Sequence, residues 1–351
     1  MIKKRVSLKD IAQKVGVSTA LVSYVLNGKE KEARVGEAAA KKIRKVAADL
    51  NYQPNLIARG LKFGKTHTIG LIVADISNPF FAMLARIIEL EAQQRGYTVL
   101  FGSSDEQLEK SQNLISTFLN RQVDGLIITP VAGSQSQIEE LRNKGIPFVL
   151  MDRGFHEIET NVVVTDNHDA MYNAVKLLIR NGYKKPGIIA YDTTLTHMID
   201  RVAGYKDALK DNGIRFNSRW FAKVPYGNYK EHVTGALERL LDPRNRVVDS
   251  LVFATNSISV QSLKVIHAKG IRVPQDLGVI SFDESDVFDF FYSSITYIKQ
   301  NLQAISENAV QSLMQSIDAR SKKPAKITVP SIIIKGESSN RRKSRDGVDR
   351  R

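Results

Sequence analysis

Cysteine is absent from all 351 residues, which excludes disulfides and thiolate metal sites and suits a reducing compartment. No apolar run approaches the roughly 20 residues that a membrane-spanning helix needs. The N-terminus MIKKRVSLKD is basic but lacks the apolar core of a secretory signal, so a cytoplasmic, nucleoid-associated protein is expected. The G-x-S-x-G, H-E-x-x-H and G-x-G-x-x-G patterns are all missing. The six histidines, at 67, 156, 168, 197, 232 and 267, share no metal-ligand spacing and read as surface residues. GLKFGKT at 60–66 is one residue short of a P-loop and precedes a strand where a P-loop would follow one. No catalytic, metal-dependent or cofactor-dependent activity is expected.

What the chain does have is charge in the wrong proportion at one end. Its net charge is +14. Residues 1–66 hold 15 Lys+Arg against 5 Asp+Glu, and residues 341–351 hold 6 against 2. The remaining 30 basic and 30 acidic residues cancel, from totals of 51 and 37. A neutral body with a basic head fits nucleic-acid binding at the head, where Lys and Arg release phosphate counterions. The polar, aperiodic tail is expected to be disordered.

The basic head contains SLKDIAQKVGVSTALVSYVL, residues 7–26. Ser7 and Asp10 form a capping signal, and Ile11, Ala12 and Val15 recur on one helical face. Gly16 supplies a turn, and Ser18 caps a second helix. In that helix Leu21, Val22, Val25 and Leu26 face inward, with Thr19, Ala20, Ser23 and Tyr24 outward. Asn27-Gly28 stops it. This layout suits either an ordinary helical hairpin or a helix-turn-helix that lays its second helix in a DNA major groove. A third helix is expected over 37–50, with Ala40, Ile43, Ala47 and Leu50 inward. Asn55–Lys62 spans only about two helical turns and contains Gly60, so it is marginal as a helix until something holds it.

From Thr68 onward strands alternate with helices, which implies parallel sheets covered on both faces. A first series runs to a strand at Pro147–Met151, including a helix over Glu106–Arg121. A second series begins with the strand Val162–Thr165. About 270 residues of this pattern exceed one comfortable core, so two lobes are expected. Ligands of such folds sit at the carboxyl ends of strands and between lobes. The residues there are Asp75, Asn78, Phe80 and Phe81, then Asp152-Arg153, Arg201, Asn256 and Asp283-Glu284. Aromatics for stacking, with Asp, Asn and Arg for paired hydrogen bonds, suit a small polar ligand.

These stretches, with NYQPNLIARGL, IGLIVADISNPFF, VDGLIITP, DRVAGYKDAL and RVPQDLGVISFDE, make the chain resemble the LacI/GalR family of bacterial transcriptional regulators. The resemblance runs from about Ser7 to Ser339. It implies an all-α helix-turn-helix headpiece (1–53), a hinge helix and linker (54–66), and a two-lobed α/β core like periplasmic sugar-binding proteins (67–339). Lobe 1 would comprise about 67–161 and 295–323, lobe 2 about 162–294 and 324–339, and residues 340–351 the tail. Three chain crossings would join the lobes. DNA contacts would fall to Ser7, Ser18, Thr19, Ala20, Ser23, Tyr24 and Asn27, and in the hinge to Asn55, Ala58 and Leu61. Leu61 would be a minor-groove wedge. Tyr24 stands where arginine is common. The effector pocket would use Asp75, Asn78, Phe80, Phe81, Asp152, Arg201, Tyr226, Asn256 and Asp283, with Ser257 where aspartate is frequent and Leu195 offering no charge. The implied partners are a near-palindromic DNA operator, a small-molecule effector (a sugar or sugar derivative) and a second copy of the chain. A solute-binding receptor of a transport system would use the same two lobes, but the basic headpiece argues against it.

Overall fold

The computed structural model describes residues 6–52, 65–318 and 323–341. It divides the chain into two units, Met1–Thr66 and His67–Arg351. The hinge residues Asn55, Ala58, Gly60 and Leu61 lie outside the described residues.

The first unit contains α1 (Leu8–Val15), α2 (Thr19–Leu26) and α3 (Glu37–Asp49). The Ser7–Asp10 capping box forms in full, since the Ser7 amide donates to Asp10 Oδ2 at 2.7 Å and the Asp10 amide returns to Ser7 Oγ at 3.4 Å. Gly16 ends α1 at φ +82°, a left-handed conformation that a Cβ would penalise. Ile11, Ala12, Val15, Val22, Val25, Ala40, Ile43 and Ala47 make one small core. Leu21, Leu26 and Leu50, expected inside, are only half-buried at its margin.

The second unit has two six-stranded sheets. Lobe 1 orders β11 (Lys326–Val329), β5 (Val162–Thr165), β4 (Phe148–Met151), β3 (Gly125–Ile128), β1 (Thr68–Val73) and β2 (Thr98–Ser103), all parallel. Alternate residues feed opposite faces. Leu71, Val73, Ile127 and Val149 pack under α4 (Pro79–Gln94) and α11 (Leu302–Ile317). Ile72, Leu126, Ile128 and Leu150 pack under α5 (Leu108–Asn120) and α6 (Gln135–Asn143). Lobe 2 orders β12 (Ile332–Ile334), β10 (Thr296–Lys299), β9 (Gly278–Phe282), β8 (Ser250–Phe253), β6 (Pro186–Tyr191) and β7 (Phe221–Val224). Only β12 is antiparallel to its neighbour. Its helices are α7 (Asn167–Arg180), α8 (Thr196–Asp211), α9 (Tyr229–Leu240) and α10 (Asn256–Ala268).

The lobe boundaries differ from the sequence-based expectation. β5 does not open the second lobe, because Leu150 and Lys326 flank Val162 in the first sheet. β11 likewise joins lobe 1, and β10 joins lobe 2. The chain therefore crosses after Thr165, between Lys299 and Leu302, and between Val329 and Ile332. These crossings are tied together: Thr165 Oγ1 hydrogen-bonds Gln300 Oε1, and the Ser331 amide donates to Asp166 Oδ1 at 2.9 Å.

Candidate functional site

In the first unit, α2 presents its polar face outward. Ser18 Oγ accepts from the Leu21 amide at 3.2 Å, which fixes where the helix starts. Thr19, Ala20 and Tyr24 are exposed, Tyr24 by 46%. Ser23 is half-buried, and Asn27 donates to its carbonyl oxygen at 2.7 Å, so these two close the helix end. Ser7 and Ser18 are exposed but serve as caps. Exposed Lys41, Lys42, Arg44 and Lys45 on α3 add positive charge.

In the second unit a cavity of about 550 Å³ opens between the lobes. The strand order reverses between β1 and β3 in lobe 1 and between β6 and β8 in lobe 2, so loops diverge there. Lobe 1 contributes Asn78, Phe80, Phe81, Asp105, Glu106, Asp152 and Arg153, and lobe 2 contributes Tyr191, His197, Arg201, Tyr226, Ser257 and Asp283. Pro79 at the first position of α4, with Asn78 Oδ1 accepting from the Phe80 amide at 3.1 Å, brings Phe80 and Phe81 to the wall. Their rings meet edge to face at 5.0 Å. Tyr191 and Tyr226 form the facing aromatic pair at 5.4 Å.

Arg201 is 3% exposed and sits one turn before Gly204. A Cβ at Gly204 would fall 2.1 Å from the His168 carbonyl oxygen, so the glycine permits α8 to press on α7. That approach lets Arg201 Nε donate to Asn167 Oδ1 at 2.8 Å, while Nη1 donates to the Ala254 carbonyl at 2.7 Å. The guanidinium lies 3.4 Å from the Phe282 ring centroid, a cation–π contact. Burial pulls its pKa below the ordinary value, opposed by the nearby carboxylates of Asp283 and Asp152. Asp283 Oδ1 accepts from Gln300 Nε2 at 2.6 Å, and burial raises its pKa. Both charges lining the cavity are thus held by residues at the lobe crossings.

Burial likewise raises Asp152 to about 6 from 3.8, with Arg153 and Arg201 opposing. The folded chain then holds this proton more tightly than the unfolded chain does. The stability from this group is complete below about pH 4 and is lost as pH rises to about 6. Asp152→Asn should remove that loss, so its advantage in urea unfolding should grow by roughly 3 kcal/mol between pH 4 and pH 7. A pH-independent difference would refute the assignment.

Two expected pocket residues stand off the wall. Asp75 lies at the mouth, where its Oδ2 accepts from Tyr226 Oη at 2.8 Å, bridging the lobes. Asn256 is buried behind, its Nδ2 donating to the Glu284 carbonyl at 2.7 Å. Three of the wall residues that escaped the sequence reading bear on the chemistry of the cavity. His197, taken for a surface histidine, is 9% exposed, and burial keeps it neutral by lowering its pKa well below the usual value. Tyr191 ends β6, a position that could have signalled it. Glu106 was assigned to a helix, but Asp105 and Glu106 adopt φ of +52° and +58°, and α5 begins only at Leu108. Among the described residues no His/Asp/Glu group could hold a metal ion, and no helix is long and apolar enough to cross a membrane.

Comparison with known proteins matches both units. The family described as periplasmic binding proteins and sugar binding domain of LacI family covers residues 66–337, and that described as bacterial regulatory proteins, lacI family, covers residues 7–55. The ribose operon repressor of Haemophilus influenzae is 30% identical over 311 residues, spanning 89% of this chain and 92% of that protein. The HTH-type transcriptional repressor PurR of Pasteurella multocida is 28% identical over 341 residues, spanning 95% and 99%. The solved Lac repressor dimer bound to operator and the anti-inducer ONPF shares the fold, with a TM-score of 0.83 at 21% identity over 96% of this chain and 99% of that one.

Proposed function

The chain belongs to the LacI family of bacterial transcriptional regulators, and on that premise we propose that it is a repressor whose operator affinity is set by an uncharged carbohydrate between its lobes. The observation that carries the ligand reading is the cavity wall. Buried Arg201 and Asp283 offer a donor and an acceptor to adjacent hydroxyls, and Phe80, Phe81, Tyr191 and Tyr226 offer flat faces to a sugar ring. The lobes close on the ligand about the three crossings, and open and closed states differ in their contacts to it. Gel shift against DNA upstream of its own and neighbouring genes, with and without added sugars, tests the reading. Sequence-specific retention altered by a sugar is expected, and retention indifferent to sequence would overturn it.

The reading as a transport receptor is not favoured, because residues 7–55 match a DNA-binding family. On the same proposal the chain acts as a homodimer on a near-palindromic site, since one small headpiece buries too little surface for tight specific binding. Sedimentation at micromolar protein should show a dimer, and a monomer both with and without operator would sink this.

A further inference from the structure

Two guanidiniums face the cavity, and both already hold partners within the protein. Arg153, 3% exposed, donates through Nη2 to Glu106 Oε1 at 2.7 Å and through Nη1 to Oε2 at 3.3 Å. Its Nε lies 3.5 Å from Asp152 Oδ2 without a hydrogen bond. Arg201 is committed to Asn167, Ala254 and the Phe282 face, and its field is opposed by Asp283 and Asp152. Nearer the rim, Asp105 pairs with Lys110 and Asp192 with Lys223. The deep wall therefore sets Asp152, Asp283 and Glu106 against two guanidiniums. A phosphate or carboxylate entering here would bury a further negative charge among three carboxylates, with Arg153 already paired and, of the two guanidiniums, only Arg201 outside an ion pair.

The position of Glu106 is itself strained. Two consecutive left-handed residues, neither of them glycine, precede α5, and the Glu106 amide is anchored to the Ala74 carbonyl at 3.0 Å. Such conformations persist where the surroundings enforce them, and they cluster at ligand sites. Here the turn aims a carboxylate at Arg153.

We propose that Glu106 determines the ligand class of this cavity: by pairing with Arg153 it admits an uncharged polyhydroxylated molecule and excludes phosphorylated or carboxylated counterparts. The inference rests on the reading of the cavity as the effector site. His197 Nδ1, buried on this wall without a hydrogen-bond partner, suits a neutral hydroxyl. With Glu106 neutralised, the two terminal nitrogens of buried Arg153 would lose their charged partner, leaving Asp152 beside Nε alone, and such a fork is a natural receptor for a phosphate.

The test uses the full chain in calorimetry and thermal shift. The probes are inorganic phosphate, glucose, ribose, glucose 6-phosphate, ribose 5-phosphate and glucuronate. The native chain should show no saturable binding of phosphate, either ester or glucuronate. Glu106→Gln should bind inorganic phosphate or an ester at least about tenfold more tightly than native, and Glu106→Gln with Arg153→Gln should lose that gain. Native binding of any anionic probe as tightly as its neutral counterpart would overturn the proposal, and this arm needs no variant to fold. A folded Glu106→Gln chain with no gain for any anion would also overturn it. Phosphate gain in Glu106→Gln, with no neutral sugar bound by the native chain, would uphold the role of Glu106 while overturning the carbohydrate reading.

Discussion

Arg201→Ala is expected to abolish effector binding and to destabilise the core by about 3–5 kcal/mol. The guanidinium is almost wholly buried, and its field acts on two carboxylates whose own burial already raises their pKa values. Its removal takes away a cation that favours the charged form of both, leaving Arg153 beside Asp152 and no guanidinium for Asp283. It also strips partners from Asn167 Oδ1 and the Ala254 carbonyl. An unmade buried hydrogen bond costs about 1–3 kcal/mol, so the two lost bonds weigh as much as the charge effect. Because this variant confounds binding with folding, Asp283→Asn is the companion measurement. It keeps the shape and an acceptor for Gln300 but removes the charge beside Arg201. Operator affinity without effector should match native for Asp283→Asn, while the response to effector should be lost. Native effector affinity in both variants by calorimetry would refute the pocket assignment.

Tyr24→Ala is expected to weaken binding to the best operator by about 1–3 kcal/mol and to relax preference at one base pair of each half-site. The side chain projects from α2 and is 46% exposed, whereas Val22 and Val25 on the opposite face are buried. Truncation therefore removes nothing from the headpiece core, and stability should change by no more than about 0.5 kcal/mol. A phenol can meet a base edge through its hydroxyl and a thymine methyl through its ring, and both contacts carry sequence information. Competition gel shifts with every single-base variant of the half-site distinguish the outcomes. An equal loss on all sequences would make Tyr24 a phosphate contact.

Element identity was largely legible in the sequence because it depends on local periodicity. The capping box at Ser7, the glycine at 16 and the continuous apolar run within Thr68–Val73 are all written within a few residues. Lobe membership was less so, since a buried strand such as Val162–Thr165 carries the same β-branched residues whichever sheet edge receives it. Its place is settled by pairing with Lys326–Val329, more than 150 residues away. Within the cavity, Phe80, Phe81 and Asp283 were recoverable from their positions just after strands, and Arg201 from its place near the start of a helix. Glu106 was not, because a glutamate shortly before an apolar helical pattern reads as the helix's own first turn. The left-handed turn that redirects it leaves no compositional trace. His197 was hidden for a related reason: it stands in the first turn of α8 at the cavity wall, and no local pattern marks it as buried.

The three crossings also govern the order in which the chain can be completed during synthesis. Lobe 1 begins at Thr68, yet one face of its sheet is covered by Ile305, Ala309, Val310 and Leu313 of α11. Its edge strand arrives later still, at Lys326–Val329, and lobe 2 receives its own edge at Ile332–Ile334. Neither lobe can therefore close while its later residues remain in the ribosome, although chains commonly fold their N-terminal domains first. The headpiece has no such dependence, since its core draws only on residues of the first unit. A nascent chain thus carries a finished DNA-reading helix long before it can carry a finished sensor, and premature termination in α11 would release the first without the second.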